Sequence, residues 1–253
     1  MNRPSSVILL AAGLGNRLRP LTESLPKALV PCGGWPLLAY DLEFARRALA
    51  PGGKLVVVTG HLRELVEEYL ARAAPEAIAV HNPDYEKANL LSVAAGLREV
   101  EGDFLLMNVD HIYPLAFADR MTRSDGDVVC AVDHDRPLGP DDMKVGLDAR
   151  GRVARISKRL ETWDLGYIGM TLVRPAGLPR WRQCFDRLLA ERPATAVAEE
   201  VIQALADQGT PAQVCDLSGL SWLEVDTLED LEAAETRLAE CPDLIHRDWN
   251  SPR

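Results

Sequence analysis

Short apolar runs alternate with amphipathic segments through the first 108 residues, and this pattern restricts the folds that the chain can adopt. The runs Val7–Ala11 and Lys54–Thr59 are almost continuously apolar, which is typical of strands covered on both faces of a sheet. Further strands are expected at Ala77–His81 and Asp103–Asn108, and helices at Pro36–Ala50, Leu62–Ala73 and Leu90–Val100. Helices between strands favour right-handed crossovers and parallel pairing. The pattern predicts an α/β fold with a Rossmann-like, mostly parallel mixed sheet and helices on both faces.

The second half of the chain has a different pattern, which predicts a small antiparallel insertion. A turn at residues 148–151 joins two strand-like segments, Met143–Leu147 and Arg152–Ser157, as in a hairpin. The other expected strands are Asp127–Val132, Leu165–Val173 and Ala212–Leu217, and the other expected helices are Trp181–Glu191, Val197–Asp207 and Leu228–Ala239. Thr227 is a candidate N-cap for the last helix. We expect one domain over residues 1–240 and a loosely held polar tail over residues 241–253.

The balance of charge argues against a nucleic-acid or anionic-membrane partner. The chain has 28 basic and 38 acidic residues and a formal net charge of −10, whereas such partners are bound by basic surfaces. The five cysteines lack metal-binding or disulfide spacing, which is typical of a reducing cytoplasm. No apolar stretch is long enough to cross a membrane. We therefore expect a cytoplasmic protein without a nucleic-acid partner or a membrane segment.

A glycine-containing loop follows the first strand and is followed by two cations. The candidate nucleotide-binding segment comprises the end of the strand and this loop, Leu10, Ala11, Ala12, Gly13, Leu14 and Gly15. Glycine lets main-chain N–H groups approach an anion, so this loop together with Arg17 and Lys27 can surround a triphosphate. It is not a dinucleotide fingerprint, because Leu18 stands where the third glycine belongs, and it is not a Walker A loop. On spacing alone, a plain turn with two solvated cations is equally compatible with the pattern.

Two carboxylates stand where a metal site is expected. Asp110 follows the strand that ends at Asn108, and open α/β sheets bind ligands at the carboxyl edge of their strands. Asp226 lies in an extended segment in which Glu224 shares its face. Two carboxylates with phosphate oxygens and water suit Mg²⁺, and Glu224 is a further candidate ligand. Alternatively, Asp110 is a turn residue and Asp226 is an acid at the start of a helix.

Asn89 and Ser92 stand at the start of the third expected helix. An amide and a hydroxyl can contact a base edge, and an asparagine at this position can equally cap the helix. His111 and the segment Asp133-His134-Asp135 lack the spacing of a transition-metal site. We expect them to be loop residues near the edge of the sheet.

Residues 10–38, LAAGLGNRLRPLTESLPKALVPCGGWPLL, resemble the signature of nucleotidyltransferases that couple a nucleoside triphosphate to a phosphorylated sugar or alcohol. The resemblance implies that the loop at residues 10–15 wraps the nucleotide and that Arg17 and Lys27 hold the triphosphate. It also implies that Asp110 and Asp226 hold Mg²⁺, with Glu224 as an accessory ligand.

Other segments resemble cytidylyltransferases, and in particular those that act on inositol-1-phosphate. Residues 82–92 resemble the segment where cytidylyltransferases carry an asparagine and a serine, which implies that Asn89 and Ser92 contact CTP. Residues 110–113, 156–160 and 222–227 resemble the inositol type, in which Lys158 would meet the acceptor phosphate and the product would be CDP-inositol. Residues 163–169 depart from that type. Phosphocholine, a phosphonate, or a sugar-1-phosphate with another nucleotide therefore remain alternatives.

Three competing interpretations each predict a different sequence feature. A choline acceptor would need an aromatic cage, for which the candidates are Tyr85, Tyr113, Trp163, Tyr167 and Trp222. A nucleotide-binding module without turnover would have lost catalytic positions, whereas this chain retains Arg17, Lys27, Asp110, Lys158 and Asp226. An oxidoreductase would need the complete dinucleotide fingerprint. The resemblance is also compatible with a homodimer.

Overall fold

The computed structural model describes residues 3–247. Its strands are β1 (Ser6–Ala11), β2 (Pro31–Cys32), β3 (Trp35–Pro36), β4 (Lys54–Thr59), β5 (Ile78–His81), β6 (Phe104–Asn108), β7 (His111–Ile112), β8 (Val128–Asp133), β9 (Lys144–Leu147), β10 (Val153–Ser157), β11 (Leu165–Val173), β12 (Gln213–Asp216) and β13 (Leu223–Glu224). Its α-helices are α1 (Leu37–Ala48), α2 (Arg63–Ala73), α3 (Leu90–Gly96), α4 (Ala116–Arg123), α5 (Leu178–Glu191), α6 (Glu199–Asp207) and α7 (Leu228–Glu240). None of these described helices is long and apolar enough to cross a membrane.

The central sheet is parallel over β6, β1, β4 and β5, and the rest is antiparallel except that β12 pairs in parallel with β8. The strand order is β10-β9-β11-β6-β1-β4-β5, with β8 and then β12 continuing from β11. β1 pairs in parallel with both β4 and β6, and β11 pairs antiparallel with β6, β8 and β9. The predicted mixed sheet with an antiparallel insertion is confirmed. The carboxyl ends of β1 and β6 therefore lie side by side at one edge.

The helices cover both faces of the sheet, which explains why the first strands are apolar throughout. In β1, Val7 and Leu9 pack with α1, α2 and α4, whereas Ile8 packs with α3, α5 and α6 on the other face. Leu38 and Leu42 of α1 recur at helical spacing and are buried against the first face. Truncating a side chain as buried as that of Ile8 to alanine would cost about 2–5 kcal/mol of unfolding free energy.

Several expectations about local structure are corrected. α1 ends at Ala48 rather than Ala50, and α6 begins at Glu199 rather than Val197. The sequence pattern does not predict the short elements α4, β2, β3 and β7, because eight residues or fewer give too short a window to establish a period. The predicted N-cap at Thr227 is confirmed, and Asp230 completes a capping box.

The described part of the tail is packed, which corrects the expectation that it is loosely held. Leu244 is fully buried, and the amide of Leu115 donates to the carbonyl of Ile245 at 2.7 Å. Apolar side chains near the end of the chain gain burial in this way. Residues 248–253 lie outside the described residues, and the division into a domain of residues 1–240 and a tail stays a prediction.

Candidate active site

A cavity of about 430 Å³ opens at the carboxyl edge of β1 and β6. Its lining includes residues 10–17 of the first loop, Lys27, Asn89, Ser92, Asp110 and Asp226. Most of the residues predicted from the sequence to bind nucleotide or metal therefore line one space, and the exceptions are Lys158 and Glu224. The cavity falls in the size range of small-molecule sites, about 300–1,000 Å³.

The two glycines of the first loop have different roles. Gly15 has φ = 63°, and a Cβ there would lie 2.9 Å from Thr22 Cγ2 and 3.0 Å from Lys27 Cβ. The hydroxyl of Thr22 donates to the carbonyl of Gly15 at 2.8 Å and holds this turn. A Cβ on Gly13 would have no atom within 4 Å. Gly15 thus permits the fold of the loop, whereas Gly13 keeps its backbone accessible to a ligand.

The sheet edge brings Asp110 and Asp226 together from distant parts of the sequence. β7 pairs antiparallel with β13, and the amide of Val225 donates to the carbonyl of Asp110 at 2.8 Å. The capping box then fixes the main chain of Asp226, because Asp230 Oδ2 accepts hydrogen bonds from the amides of Asp226 and Thr227. The register of a two-stranded ladder and a helix cap together set this pair.

Lys27 lies between these two carboxylates. Its Nζ donates to Asp110 Oδ2 at 2.8 Å and also to Asp226 Oδ1. Burial would lower the pKa of Lys27, but the two carboxylates raise it above its ordinary value. Burial would likewise raise the pKa of Asp110, but Lys27 and His111 hold it far below the usual range. Both groups are therefore charged at neutral pH.

Arg17 completes the charged cluster on the solvent side. Its Nη2 lies 2.6 Å from Asp226 Oδ2, and its Nη1 lies 3.5 Å from Asp141 Oδ2. The Arg17 side chain is half exposed, so it can turn from Asp226 to an incoming anion. Two cations and two carboxylates thus stand beside a glycine loop.

The donor set of Asp110 and Asp226 fits a hard divalent cation. Two carboxylate oxygens bind the same Lys27 ammonium, so they lie close enough to share one ion. Within residues 3–247, no group of three or more histidine, cysteine or carboxylate side chains is arranged to hold a metal. A cation here would need oxygens from substrate and water as well, which is the usual coordination of Mg²⁺.

Glu224, the predicted accessory ligand, is engaged elsewhere. Its Oε2 lies 2.9 Å from Arg136 Nη2, and its Oε1 lies 3.8 Å from His111 Nε2. Arg136 also binds both carboxylate oxygens of Asp142 and stacks 5.0 Å over the ring of Trp222. No sequence signal singled out Arg136, since its partners lie up to 88 residues away.

The side chains of Asn89 and Ser92 are each held by a neighbouring segment. Asn89 Oδ1 accepts from the amide of Ala198 at 2.9 Å, and Ser92 Oγ accepts from Asn82 Nδ2 at 3.0 Å. Asn89 precedes α3 with helical dihedral angles and makes no side-chain cap hydrogen bond. The helix-cap alternative for Asn89 is therefore wrong, and contact with a base stays a prediction.

Lys158 lies apart from this cavity, in a groove of about 1050 Å³ between β10 and α5 and α6. Burial raises the pKa of Glu199 in the same groove, and the charge of Lys158 opposes that rise. The structure thus brings together the predicted nucleotide residues with Asp110 and Asp226, and places Lys158 in a neighbouring groove and Glu224 beside Arg136.

The five aromatic candidates do not form one open cage. The ring of His111 stacks on both Tyr113 and Trp222, with centroids 5.3 and 5.2 Å away. The Trp163 ring lies under the ammonium of Lys144, and Tyr85 lines the cavity beside β1 and β6. The hydroxyl of Tyr167 is bonded to Thr171 Oγ1 at 2.9 Å. The sequence could not reveal that a histidine and an arginine fill the aromatic faces.

Comparison with known families decides the identity of this fold. Residues 7–210 match the MobA-like NTP transferase domain. The chain belongs to this family. Its members are nucleotidyltransferases by description, so the oxidoreductase interpretation is wrong.

Curated relatives match across most of the chain. A protein of Rubrobacter xylanophilus named "Bifunctional IPC transferase and DIPP synthase" is 36% identical over 90% of this chain and 50% of its own length. The "CMP-5'-(3-aminopropyl)phosphonate synthase" of Streptomyces rubellomurinus is 32% identical over 93% of this chain and 39% of its own length. The chain thus spans half or less of the length of these two relatives.

Solved structures share the fold. The inositol-1-phosphate CTP transferase of T. maritima superposes with a TM-score of 0.78 at 24% identity, covering 98% of this chain and 99% of that chain. The CTP:phosphocholine cytidylyltransferase of Streptococcus pneumoniae superposes with a TM-score of 0.76 at 21% identity, covering 92% and 98%. The predicted nucleotidyltransferase fold is confirmed.

Proposed function

We propose that the chain is a Mg²⁺-dependent cytidylyltransferase that couples CTP to inositol-1-phosphate, forming CDP-inositol and releasing pyrophosphate. The observation that carries the proposal is the charged cluster of Arg17, Lys27, Asp110 and Asp226 beside the loop at Gly13 and Gly15. The name of the Rubrobacter relative and the motifs at residues 110–113, 156–160 and 222–227 support the inositol acceptor.

The reaction is an in-line attack of an acceptor phosphate oxygen on the α-phosphorus of CTP. A phosphate monoester has its second pKa near ~6 and is largely dianionic at neutral pH, so no general base is needed. Two like charges ~4 Å apart cost about 1 kcal/mol in water and about 4 kcal/mol at an effective dielectric constant of ~20. Charge neutralisation is therefore the main requirement for catalysis.

The chain's own residues divide this task. Arg17 and Lys27 bind the triphosphate and stabilise the leaving pyrophosphate, while the loop at residues 10–15 wraps the nucleotide. Lys158 holds the attacking phosphate from the neighbouring groove, and Asn89 and Ser92 contact the cytosine. Asp110 and Asp226 hold Mg²⁺, which when bound neutralises phosphate charge and polarises the α-phosphate.

The filled aromatic faces support a polyol acceptor over choline. A quaternary ammonium is bound by open aromatic faces, whereas His111 covers Tyr113 and Trp222, and Arg136 covers the Trp222 ring as well. The groove around Lys158 is lined by Glu199, whose carboxylate can accept hydrogen bonds from polyol hydroxyls.

A phosphonate acceptor is the second candidate, because the Streptomyces relative carries a phosphonate name at 32% identity. ³¹P NMR of a reaction with CTP, Mg²⁺ and inositol-1-phosphate separates the two. A pyrophosphate-linked product with two coupled resonances supports the proposal. Product with 2-aminoethylphosphonate alone would move the assignment to the second candidate.

We infer that the enzyme works in the cytoplasm without a nucleic-acid partner. Its five cysteines are free and buried, and its net charge of −10 disfavours polyanions. The homodimer stays a prediction, which sedimentation velocity tests directly.

A further inference from the structure

A buried lysine, Lys144, stands at the start of β9, next in sequence to Met143, which lines the groove around Lys158. Its relative exposure is 4%. The strand register sets it opposite Ser157 of β10 and Gly166 of β11. Lys144 is one of five lysines in the chain, and no role assigned above uses it.

The Lys144 ammonium binds main-chain oxygens from two separate segments. Its Nζ donates to the carbonyl of Gly139 at 2.7 Å, to that of Lys158 at 3.1 Å and to that of Asp142 at 3.4 Å. Its charge also lies 5.2 Å above the ring of Trp163. Among the described residues its hydrogen bonds therefore go to backbone rather than to a carboxylate.

Both segments contain or contact residues to which the proposed reaction assigns a role. Lys158 is the residue proposed to hold the acceptor phosphate. In the other segment, Asp142 binds Arg136, and Asp141 lies 3.5 Å from Arg17 Nη1. The Lys144 ammonium thus connects the main chain of Lys158 to the 139–142 loop, whose Asp141 lies near Arg17.

Filling space in the core does not explain why a lysine stands at this position. Burying an ammonium costs free energy unless its hydrogen bonds are satisfied. An apolar side chain of similar length, such as methionine, would fill the same space without burying a charge, but it would leave the three carbonyls without their donor. What methionine cannot do is bind three carbonyls at once and thereby fix two loops relative to each other.

We propose that Lys144 is a positioning residue that sets the Lys158 segment and the 139–142 loop over the acceptor site. The kinetic half of this inference rests on the proposed function, because it concerns the acceptor phosphate. The structural half does not, because it concerns only the order of two loops.

Hydrogen–deuterium exchange on the full chain without substrate tests whether Lys144 orders the two loops. In Lys144→Met, amides of residues 139–143 and 157–160 should exchange at least about tenfold faster, while residues 10–18 stay unchanged. Lys54→Met, at an exposed site, is the control for loss of a lysine–carbonyl hydrogen bond. Lys54 Nζ also donates to a carbonyl, that of Glu99 at 2.9 Å, but it lies at the opposite edge of the sheet.

Steady-state kinetics test whether this ordering supports binding of the acceptor phosphate. Lys144→Met should raise the KM for inositol-1-phosphate about tenfold and lower kcat, with the KM for CTP changed less than about twofold. In a Lys158→Ala background the same substitution should add less than about threefold, because both changes remove one effect. Lys54→Met should leave all three parameters near wild type.

Each outcome decides the inference. Unchanged exchange in both segments, or faster exchange throughout the chain, would overturn it. So would a loss expressed mainly in the KM for CTP, or full additivity with Lys158→Ala. If the wild-type enzyme turns over no acceptor, the proposed function fails, and local exchange in residues 139–143 and 157–160 alone decides whether Lys144 positions these loops.

Discussion

Lys27 Nζ donates to Asp110 Oδ2 at 2.8 Å across 83 positions of sequence, and the same ammonium binds Asp226. The cation proposed for the triphosphate thus neutralises the two carboxylates proposed for the metal. Nucleotide must draw Lys27 away before both carboxylates are free for a cation. Metal and nucleotide binding should therefore favour each other.

Isothermal titration calorimetry tests this coupling. CTP should bind about 5–150-fold more tightly with Mg²⁺ than without it, and Mg²⁺ alone should bind weakly. Lys27→Met should weaken CTP binding yet strengthen Mg²⁺ binding in the absence of nucleotide, since the competing ammonium is gone. Unchanged Mg²⁺ affinity in Lys27→Met would contradict the coupling.

Replacing Asp110 by asparagine should abolish turnover while the fold persists. Asp110→Asn keeps the shape of the side chain but removes the negative charge, so kcat/KM should fall at least about 1,000-fold. Asp119→Asn is the control, because Asp119 pairs with Arg47 on a helical face remote from the cavity. Turnover of Asp110→Asn comparable to that of the control would remove Asp110 from the metal site.

Alanine substitutions separate the two glycines of the first loop. Gly15→Ala places a Cβ at positive φ and 2.9 Å from Thr22 Cγ2, so unfolding free energy should fall by about 1–3 kcal/mol. Gly13→Ala has free space, so thermal stability should persist while the KM for CTP rises. Equal stability losses in the two variants would contradict the division of roles.

Asn89→Asp tests whether this amide contacts the base. The new carboxylate can still accept from the amide of Ala198, as Oδ1 does now, but it loses the NH₂ donor. Since Oδ1 is occupied, base contact falls to Nδ2, a donor suited to the acceptor edge of cytosine. The KM for CTP should rise about tenfold, as expected for the loss of one hydrogen bond of ~1.4 kcal/mol. An unchanged KM would leave Asn89 with the Ala198 contact alone.

The ion pair of Arg47 and Asp119 should stabilise the fold in a pH-dependent way. Hydrogen bonds from Arg47 lower the pKa of Asp119 below its ordinary value. A group with a lowered folded pKa contributes stability above its unfolded pKa and loses it as pH falls through the folded pKa. Because Arg47 is about half exposed, the contribution is at most about 1 kcal/mol.

Chemical denaturation of wild type and Arg47→Met at two pH values measures this effect. The difference in unfolding free energy should be present at pH 7 and shrink as pH drops below ~4, where the unfolded carboxyl protonates. A difference that grows at low pH would contradict the assigned sign.

The sequence predicts the parallel half of the sheet because both faces of β1 and β4 are buried, which leaves an unbroken apolar run. It also predicts Asp110 at the sheet edge from its position after a strand, whereas the pairing of Asp110 with Asp226 is implied by the resemblance to nucleotidyltransferases. The pairing of Glu224 with Arg136 depends on the β7–β13 ladder, and two-residue strands have no detectable periodicity. The three carbonyls bound by Lys144 are main-chain atoms, so no residue pattern could indicate them.

Pyrophosphate release, measured for each combination of nucleotide and acceptor, tests whether the enzyme couples CTP to inositol-1-phosphate. CTP, UTP, GTP, ATP and dTTP are crossed with inositol-1-phosphate, phosphocholine, glucose-1-phosphate and 2-aminoethylphosphonate in the presence of Mg²⁺, with Asp110→Asn as the inactive control. We expect release with CTP and inositol-1-phosphate and none without Mg²⁺. Release with UTP or dTTP but not CTP, or no release from any pair, would contradict it.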